Sequence, residues 1–251
     1  VVPYGGERQT EDSLRQMMAG ARKALDEAGC SLVGGHTCEG SELALGFAIN
    51  GSVDEVLAKG GLKAGDSLIL TKPLGTGVVF AGDMRALADA GDVAEALQGM
   101  CRSNAHAAAT LRSHGCLACT DVTGFGLIGH LAELCRGSNG ARVRIDLNDV
   151  PMLQGALRLA SMGVVSSLHP ENLRARRAVL NHAEGIEAGA AYELLYDPQT
   201  AGGLLAAVPG DRAAACVAAL REGGDLHAAV VGEVLSAQDS SAFPAAVEIN
   251  L

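Results

Sequence analysis

These 251 residues are predicted to form an α+β fold in two parts, a shorter first domain and a longer second one. Three observations predict it. Helical and strand periodicities alternate along the chain, yet several neighbouring strands have only turn-length connections, which suits a sandwich better than a doubly wound sheet. The texture changes just after Pro73, where alanine-rich helical patterns take over. Hydrophobic residues make up 48% but aromatic ones only 3%, with no Trp. The core must therefore be built from Ala, Leu, Val and Gly, which lets helices and sheets approach closely.

The first element is a helix in "TEDSLRQMMAGARKALDEAG", with Leu14, Met17, Met18, Ala21, Leu25 and Ala28 on one face. Thr10 is its expected N-cap, Glu11 and Asp12 favour the positive end of the dipole, and Gly29 ends it. "CSLVGGHT" then reads as a strand stopping at a double glycine, "ELALGFAINGSV" as a second strand and "DSLILTKPLG" as a third. A domain boundary is expected near residues 65 to 75, giving domains 1–70 and 71–251. Beyond it "TGVVFAGDMRALADAG", "DVAEALQGMCRSNAHAAATLRSHG" and "GFGLIGHLAEL" are helical patterns, interleaved with the strands "CLACTD" and "ARVRIDL". A helical "MLQGALRLASMG", a charged helix around "PENLRARRAVLNHAEG", a strand pair in "AYELLYDPQTAGGLLAAV", a helix after Asp211 and closing strands in "HAAVVGEVL" and "AAVEI" complete the order. "SAQDSSAFP", residues 236–244, reads as a mobile surface turn.

The formal charge is −10, and no Lys or Arg cluster interrupts it. This argues against nucleic acid or an anionic membrane as partner, so an anionic small substrate would need a metal or backbone N–H groups. No apolar run approaches the roughly 20 residues of a membrane span, and no signal peptide is visible. The seven Cys show no disulfide framework, which points to a reducing, cytoplasmic setting. Cys116 and Cys119, read on an extended strand, would lie on opposite faces about 10 Å apart and would share neither a metal nor a disulfide. The opening "VVPYGGERQT" has no Met and reads as part of something longer.

Three glycine-rich junctions could carry chemistry. In "LVGGHTCEG" the N–H groups of Gly34 and Gly35, with His36 and the Thr37 hydroxyl, can cradle a phosphate, although a plain turn also fits. In "TDVTGFG" Asp121 stands where strand becomes helix, and Thr123, Gly124 and Gly126 offer N–H groups for an anion. An acid beside an anion site suits a bridging Mg²⁺, typically held by one or two carboxylates plus phosphate oxygens. Equally, Asp121 could cap the helix it precedes. The third, "YDPQTAGGLLAAV", reads as a tight loop between strands. His106, His114, His169, His182 and His227 lack metal-ligand spacing, His130 is too far along its helix to join Asp121, and Asn104 reads as a helix-interior residue. There is no nucleophile elbow, Walker loop or Rossmann fingerprint.

Taken together, "LVGGHTCEGSELALGFAINGSV", "LILTKPLGTGV", "TDVTGFGLIGHLAEL" and "DPQTAGGLL", in this order and at these separations, closely resemble the selenophosphate synthetase (selenide, water dikinase) family. The resemblance implies a PurM-like two-domain architecture, related to aminoimidazole ribonucleotide synthetase: a truncated first domain with dimer-forming strands, then a complete α/β sandwich. It implies a reaction of ATP, selenide and water to selenophosphate, AMP and orthophosphate, with Mg²⁺ bridging the phosphates to aspartates. It also implies a homodimer in which each nucleotide is held by both subunits, and some family members are fused at the amino end to a flavin-dependent oxidoreductase. Residue by residue, Asp121 matches the family's carboxy-terminal metal aspartate. Gly34, Gly35, His36 and Thr37 match the segment that reaches the neighbouring subunit's nucleotide. The family's catalytic Cys and Lys, and its remaining metal aspartates, belong upstream of Val1, so the chain by itself is expected to be inactive. The alternatives are another ATP-using PurM-like enzyme, or a non-catalytic nucleotide-binding dimerisation module.

Overall fold

The computed structural model describes residues 1–54, 56–236 and 246–251. Its described residues form two compact units, Val1–Asp54 and Glu55–Leu251. All but the first residue of the turn expected at residues 236–244 lies outside the described residues.

In the first unit, helix α1 spans Glu7–Glu27. It starts one turn before the expected Thr10, with Gly6 as N-cap. It ends as expected: Gly29 takes φ +63°, and the Cys30 N–H folds back on Leu25 O at 2.8 Å, the wrap-around stop that a left-handed glycine permits. Strand pairing is confined to β1 (Val2–Pro3) and β2 (Glu39–Gly40), which run parallel. The strands expected in "CSLVGGHT" and "ELALGFAINGSV" are therefore not formed. The alternation of Leu43, Leu45, Phe47 and Ile49 specifies an extended chain, but a strand also needs a neighbour for its backbone, and Ala44 finds one only in Val1.

The second unit is built on a six-stranded mixed sheet of order β4-β6-β3-β7-β5-β8. Its strands are β3 (Asp66–Leu70), β4 (Ala118–Asp121), β5 (Arg142–Asp146), β6 (Leu204–Pro209), β7 (Ala229–Leu235) and β8 (Val247–Asn250). Every pair is antiparallel except β5 with β8. Period-2 alternation puts Leu68 and Leu70 on one face and Ile69 on the other. Leu68 and Leu70 join the larger core with Leu127, Leu131 and Leu134 of α5 (Gly126–Gly137). Ile69 packs with Leu111 of α4 (Ala105–Ser113) and with Cys216 and Leu220 of α10 (Gly210–Glu222). A third cluster joins α2 (Thr76–Asp83), α3 (Ala90–Cys101) and α6 (Gln154–Ser161) through Val79, Ala96 and Leu159. Helices thus cover both faces of the sheet, the sandwich expected from the small-residue composition.

Three local readings change. The single long helix of residues 92–115 is broken at Arg102, which turns extended and separates α3 from α4. The charged helix is three pieces: α7 (His169–Asn172), a 3-10 segment Leu173–Ala178 and α8 (His182–Glu187). The first half of the expected strand pair is instead α9 (Ala190–Leu194). Tyr192 and Tyr196 are four apart, and only a helical course brings their hydroxyls to 2.6 Å. Cys116 and Cys119 are also close enough for their thiols to interact, because β4 begins only at Ala118 and the chain before it is not extended strand; the Cys116 thiol donates to Ala118 O at 3.4 Å. Both are buried and free. No helix among the described residues is long and apolar enough to cross a membrane.

Candidate functional site

Because β6 lies between β3 and β4 and opposes both, its start meets their ends: Leu204 pairs with Asp121 and Leu205 with Leu70. This register gathers "TKPLGTG", "TDVTGFG" and "DPQTAGG" at one end of the sheet. The Thr71 N–H donates to Leu204 O at 3.0 Å and its hydroxyl accepts from Leu204 N at 2.8 Å. Val122 N donates to Gly203 O, and Gln199 N to Thr123 O. A Cβ on Gly202 would stand 2.0 Å from Val122 O, so only glycine lets the two loops approach this far.

The "DPQ" turn caps a helix 120 residues earlier in the chain. Gln199 Oε1 accepts from Gly75 N and Thr76 N at 3.0 and 3.2 Å, and Asp197 Oδ2 accepts from Gly77 N at 3.0 Å. These are N–H groups at the start of α2 that have no partner within the helix. Asp197 is wholly buried, its other oxygen has no partner, and burial pushes its carboxyl up to about 7 despite the donors around it. Lys72, also buried, donates to Arg102 O at 2.7 Å and Ala201 O at 3.1 Å. Burial lowers the ammonium's pKa from its ordinary value, with Asp225 acting against that shift. Asn104 is not inside a helix: it stands at the N-cap position of α4 and donates to Gly202 O at 3.0 Å. A cavity of about 120 Å³ adjoins this network, with Lys72, Thr76, Arg102, Leu153 and Asp225 in its wall.

Asp121 sits at the edge of the network with its side chain exposed. It is not a cap, because α5 begins five residues later with Phe125 as N-cap and no side chain capping it. Of the anion cradle expected from Thr123, Gly124 and Gly126, two N–H groups are spent internally: Thr123 N donates to His130 Nε2 at 3.0 Å and Gly126 N to Thr123 O at 3.0 Å. Gly126 adopts φ +68°, and a Cβ there would press on the Tyr196 backbone. The loop is thus pinned at Val122, Thr123 and Gly126, and again at Gly124, whose carbonyl takes Asn172 Nδ2 at 2.8 Å. The Asp121 carboxylate accepts no hydrogen bond among the described residues. Those residues contain no group of three or more His, Cys, Asp or Glu side chains able to hold a metal, so Asp121 has fewer than two such companions among them. That fits an ion completed by other oxygens, since Mg²⁺ keeps waters and phosphate ligands.

Gly34, Gly35, His36 and Thr37 lie in the first unit, exposed and outside regular structure, with open space around both glycines. Reading the sequence missed Lys72, Gln199, Asn172 and His130. Their partners are 30 to 129, 123, 48 and 7 residues away, beyond any local pattern. Two other histidines have partners: His169 is buried against Glu193 at 2.8 Å, and His182 meets the Tyr192 hydroxyl at 2.8 Å.

Residues 63–243 match the AIR synthase related protein, C-terminal domain, and residues 2–53 the corresponding N-terminal domain. The selenide, water dikinase of Pelobacter propionicus is 40% identical over 237 residues, covering 94% of this chain and 68% of that protein. The chain belongs to this family. Selenide, water dikinase 2 of Peptoclostridium acidaminophilum is 38% identical over 231 residues, with 91% of the chain and 65% of the relative covered. The chain thus spans about two thirds of the length of these dikinases. The same fold is seen in crystal structures of the hydrogenase maturation protein HypE. One has a TM-score of 0.68 at 22% identity, covering 95% of this chain and 66% of that one. Another, HypE in complex with ATP, has a TM-score of 0.61 at 21% identity over 95% and 64% of the two chains.

Proposed function

We propose that this chain is the larger part of an ATP-dependent enzyme that converts ATP, selenide and water into selenophosphate, AMP and orthophosphate, working as a cytoplasmic homodimer. What carries the reading is Asp121: a carboxylate without a donor among the described residues, on a loop whose backbone is pinned at four points, beside motifs that resemble those of the dikinases. In this reading Asp121 holds Mg²⁺, and the ion supplies charge neutralisation at the phosphate oxygens. The loop's hydrogen bonds keep the carboxylate in place, and the "TKPLGTG" and "DPQTAGG" segments brace that loop from behind. Gly34, Gly35, His36 and Thr37 reach the nucleotide of the neighbouring subunit. The nucleotide-binding and dimerisation role falls to the first unit, Val1–Asp54, since β3 (Asp66–Leu70) lies within the sheet of the second.

The dimer is proposed to form through residues 42–53, where Leu43, Leu45, Phe47 and Ile49 are each at least half exposed. An alternating apolar edge of this kind pairs with another chain. Phosphorus NMR on the full-length protein containing this chain, supplied with ATP, Mg²⁺ and selenide, tests the reaction. Selenophosphate, AMP and orthophosphate in equal amounts are expected; ADP as the nucleotide product would overturn it.

A further inference from the structure

We infer that His130 is a positioning residue for the Asp121 loop, acting as a hydrogen-bond acceptor through Nε2 and oriented from behind by Glu133 and Lys59. A backbone N–H can only donate, so the 3.0 Å contact from Thr123 N requires Nε2 to carry a lone pair. The Thr123 hydroxyl lies 3.2 Å from the same nitrogen. The ring is therefore neutral, with its proton on Nδ1. That nitrogen faces Glu133 Oε2 at 3.3 Å, a close contact without the alignment of a hydrogen bond, and the same carboxylate oxygen accepts from Lys59 Nζ at 3.3 Å.

The geometry around the ring is built rather than incidental. His130 is 3% exposed, and its ring lies 5.5 Å from that of Phe125. Burial lowers its pKa from the ordinary value, Glu133 acting against that shift, which favours the neutral acceptor form. The backbone of Lys59 is held in place because its carbonyl passes so near Gly137 that a Cβ there would stand 2.1 Å away. Gly60, at φ +151°, shares that close approach. The line from Lys59 through Glu133 and His130 to Thr123 thus ends two residues from Asp121, on the one strand-to-helix loop that carries it. Imidazole tautomers set by a carboxylate behind the ring are a general means of fixing a site.

The functional half of the inference rests on Asp121 binding a divalent cation, and the experiment separates the two. Nitrogen-15 NMR of the unaltered chain reads the tautomer directly, and amide exchange reads the Thr123 N–H. Expected are a bare Nε2, a protonated Nδ1 and a protected Thr123 amide. Exchange there should be at least about 10-fold faster in His130→Phe and substantially restored in His130→Gln, whose amide oxygen can stand where Nε2 accepts. A proton on Nε2, or Thr123 exchange unchanged in His130→Phe, overturns the inference. Mn²⁺ titration of the same samples, read from broadening at Asp121, gives the other arm. Affinity about 10-fold weaker in His130→Phe and recovered in His130→Gln supports positioning. Unchanged affinity in His130→Phe with binding abolished in Asp121→Asn overturns the functional half. Broadening at Asp121 that survives Asp121→Asn, with the tautomer and exchange as expected, overturns the metal reading alone.

Discussion

Replacing Asp197 with Asn should flatten part of the dependence of stability on pH. The carboxyl is wholly buried, and burial pushes it up from 3.8 to about 7, although Gly77 N and Gln199 Nε2 both donate to Oδ2 at 3.0 Å. Below pH 3.8 the group is protonated whether the chain is folded or not and favours neither state. Between 3.8 and about 7 the unfolded chain releases the proton while the folded chain keeps it, so stability falls as pH rises. Above about 7 both forms are ionised and the loss is complete. At 1.36 kcal/mol per pH unit over about three units, the loss approaches 4 kcal/mol. Asn has the same shape and no titration. It should be less stable than Asp by about 1 to 2 kcal/mol at pH 4 and overtake it by neutral pH. Urea unfolding from pH 4 to 8, followed by near-ultraviolet circular dichroism, checks this. The chain has no Trp, and two of its three Tyr, Tyr192 and Tyr196, are buried in the second unit, while Tyr4 is exposed. Subtracting the two pH profiles cancels every other titrating group. Parallel profiles would refute the reasoning.

Three further outcomes are expected. Gly202→Ala forces a Cβ to 2.0 Å from Val122 O, and the backbone on both sides has to shift, so urea unfolding should show a loss of about 2 kcal/mol or more. Tyr196→Phe removes one end of the chain of hydroxyls running from His182 through Tyr192. It should lose about 1 to 3 kcal/mol by the same assay, whereas Tyr4→Phe, at an exposed position, should be neutral. Phe47→Asp places a charge in the proposed dimer edge, and light scattering at rising concentration should then report monomer where the unaltered chain self-associates.

Much of the second unit, and the end of α1 in the first, were legible because their signals are local. Leu68, Ile69 and Leu70 alternate, α5 and α10 carry clean helical faces, and the glycine stop at Gly29 needs only its own φ. The misreadings have physical causes. "AYELLY" is apolar throughout, so period alone does not separate helix from strand, and the Tyr192–Tyr196 pair decides it only once folded. "ELALGFAINGSV" has the strand period but no strand beside it, and a sequence does not say where a backbone finds its partner. Asp121 was legible as a candidate from its place between strand and helix. What makes it distinctive, its loop held by Gly203, Gln199, Asn172 and His130, depends on contacts 7 to 81 residues apart. The helix-cap alternative could be dismissed only by seeing α5 start at Gly126.

The most direct test of the account is calorimetry of ATP with Mg²⁺ on the chain and on Asp121→Asn, using a circular dichroism spectrum to show that the variant is folded. Binding to the unaltered chain is expected, with affinity at least about 10-fold weaker in the variant. Equal affinities for a folded variant would contradict it.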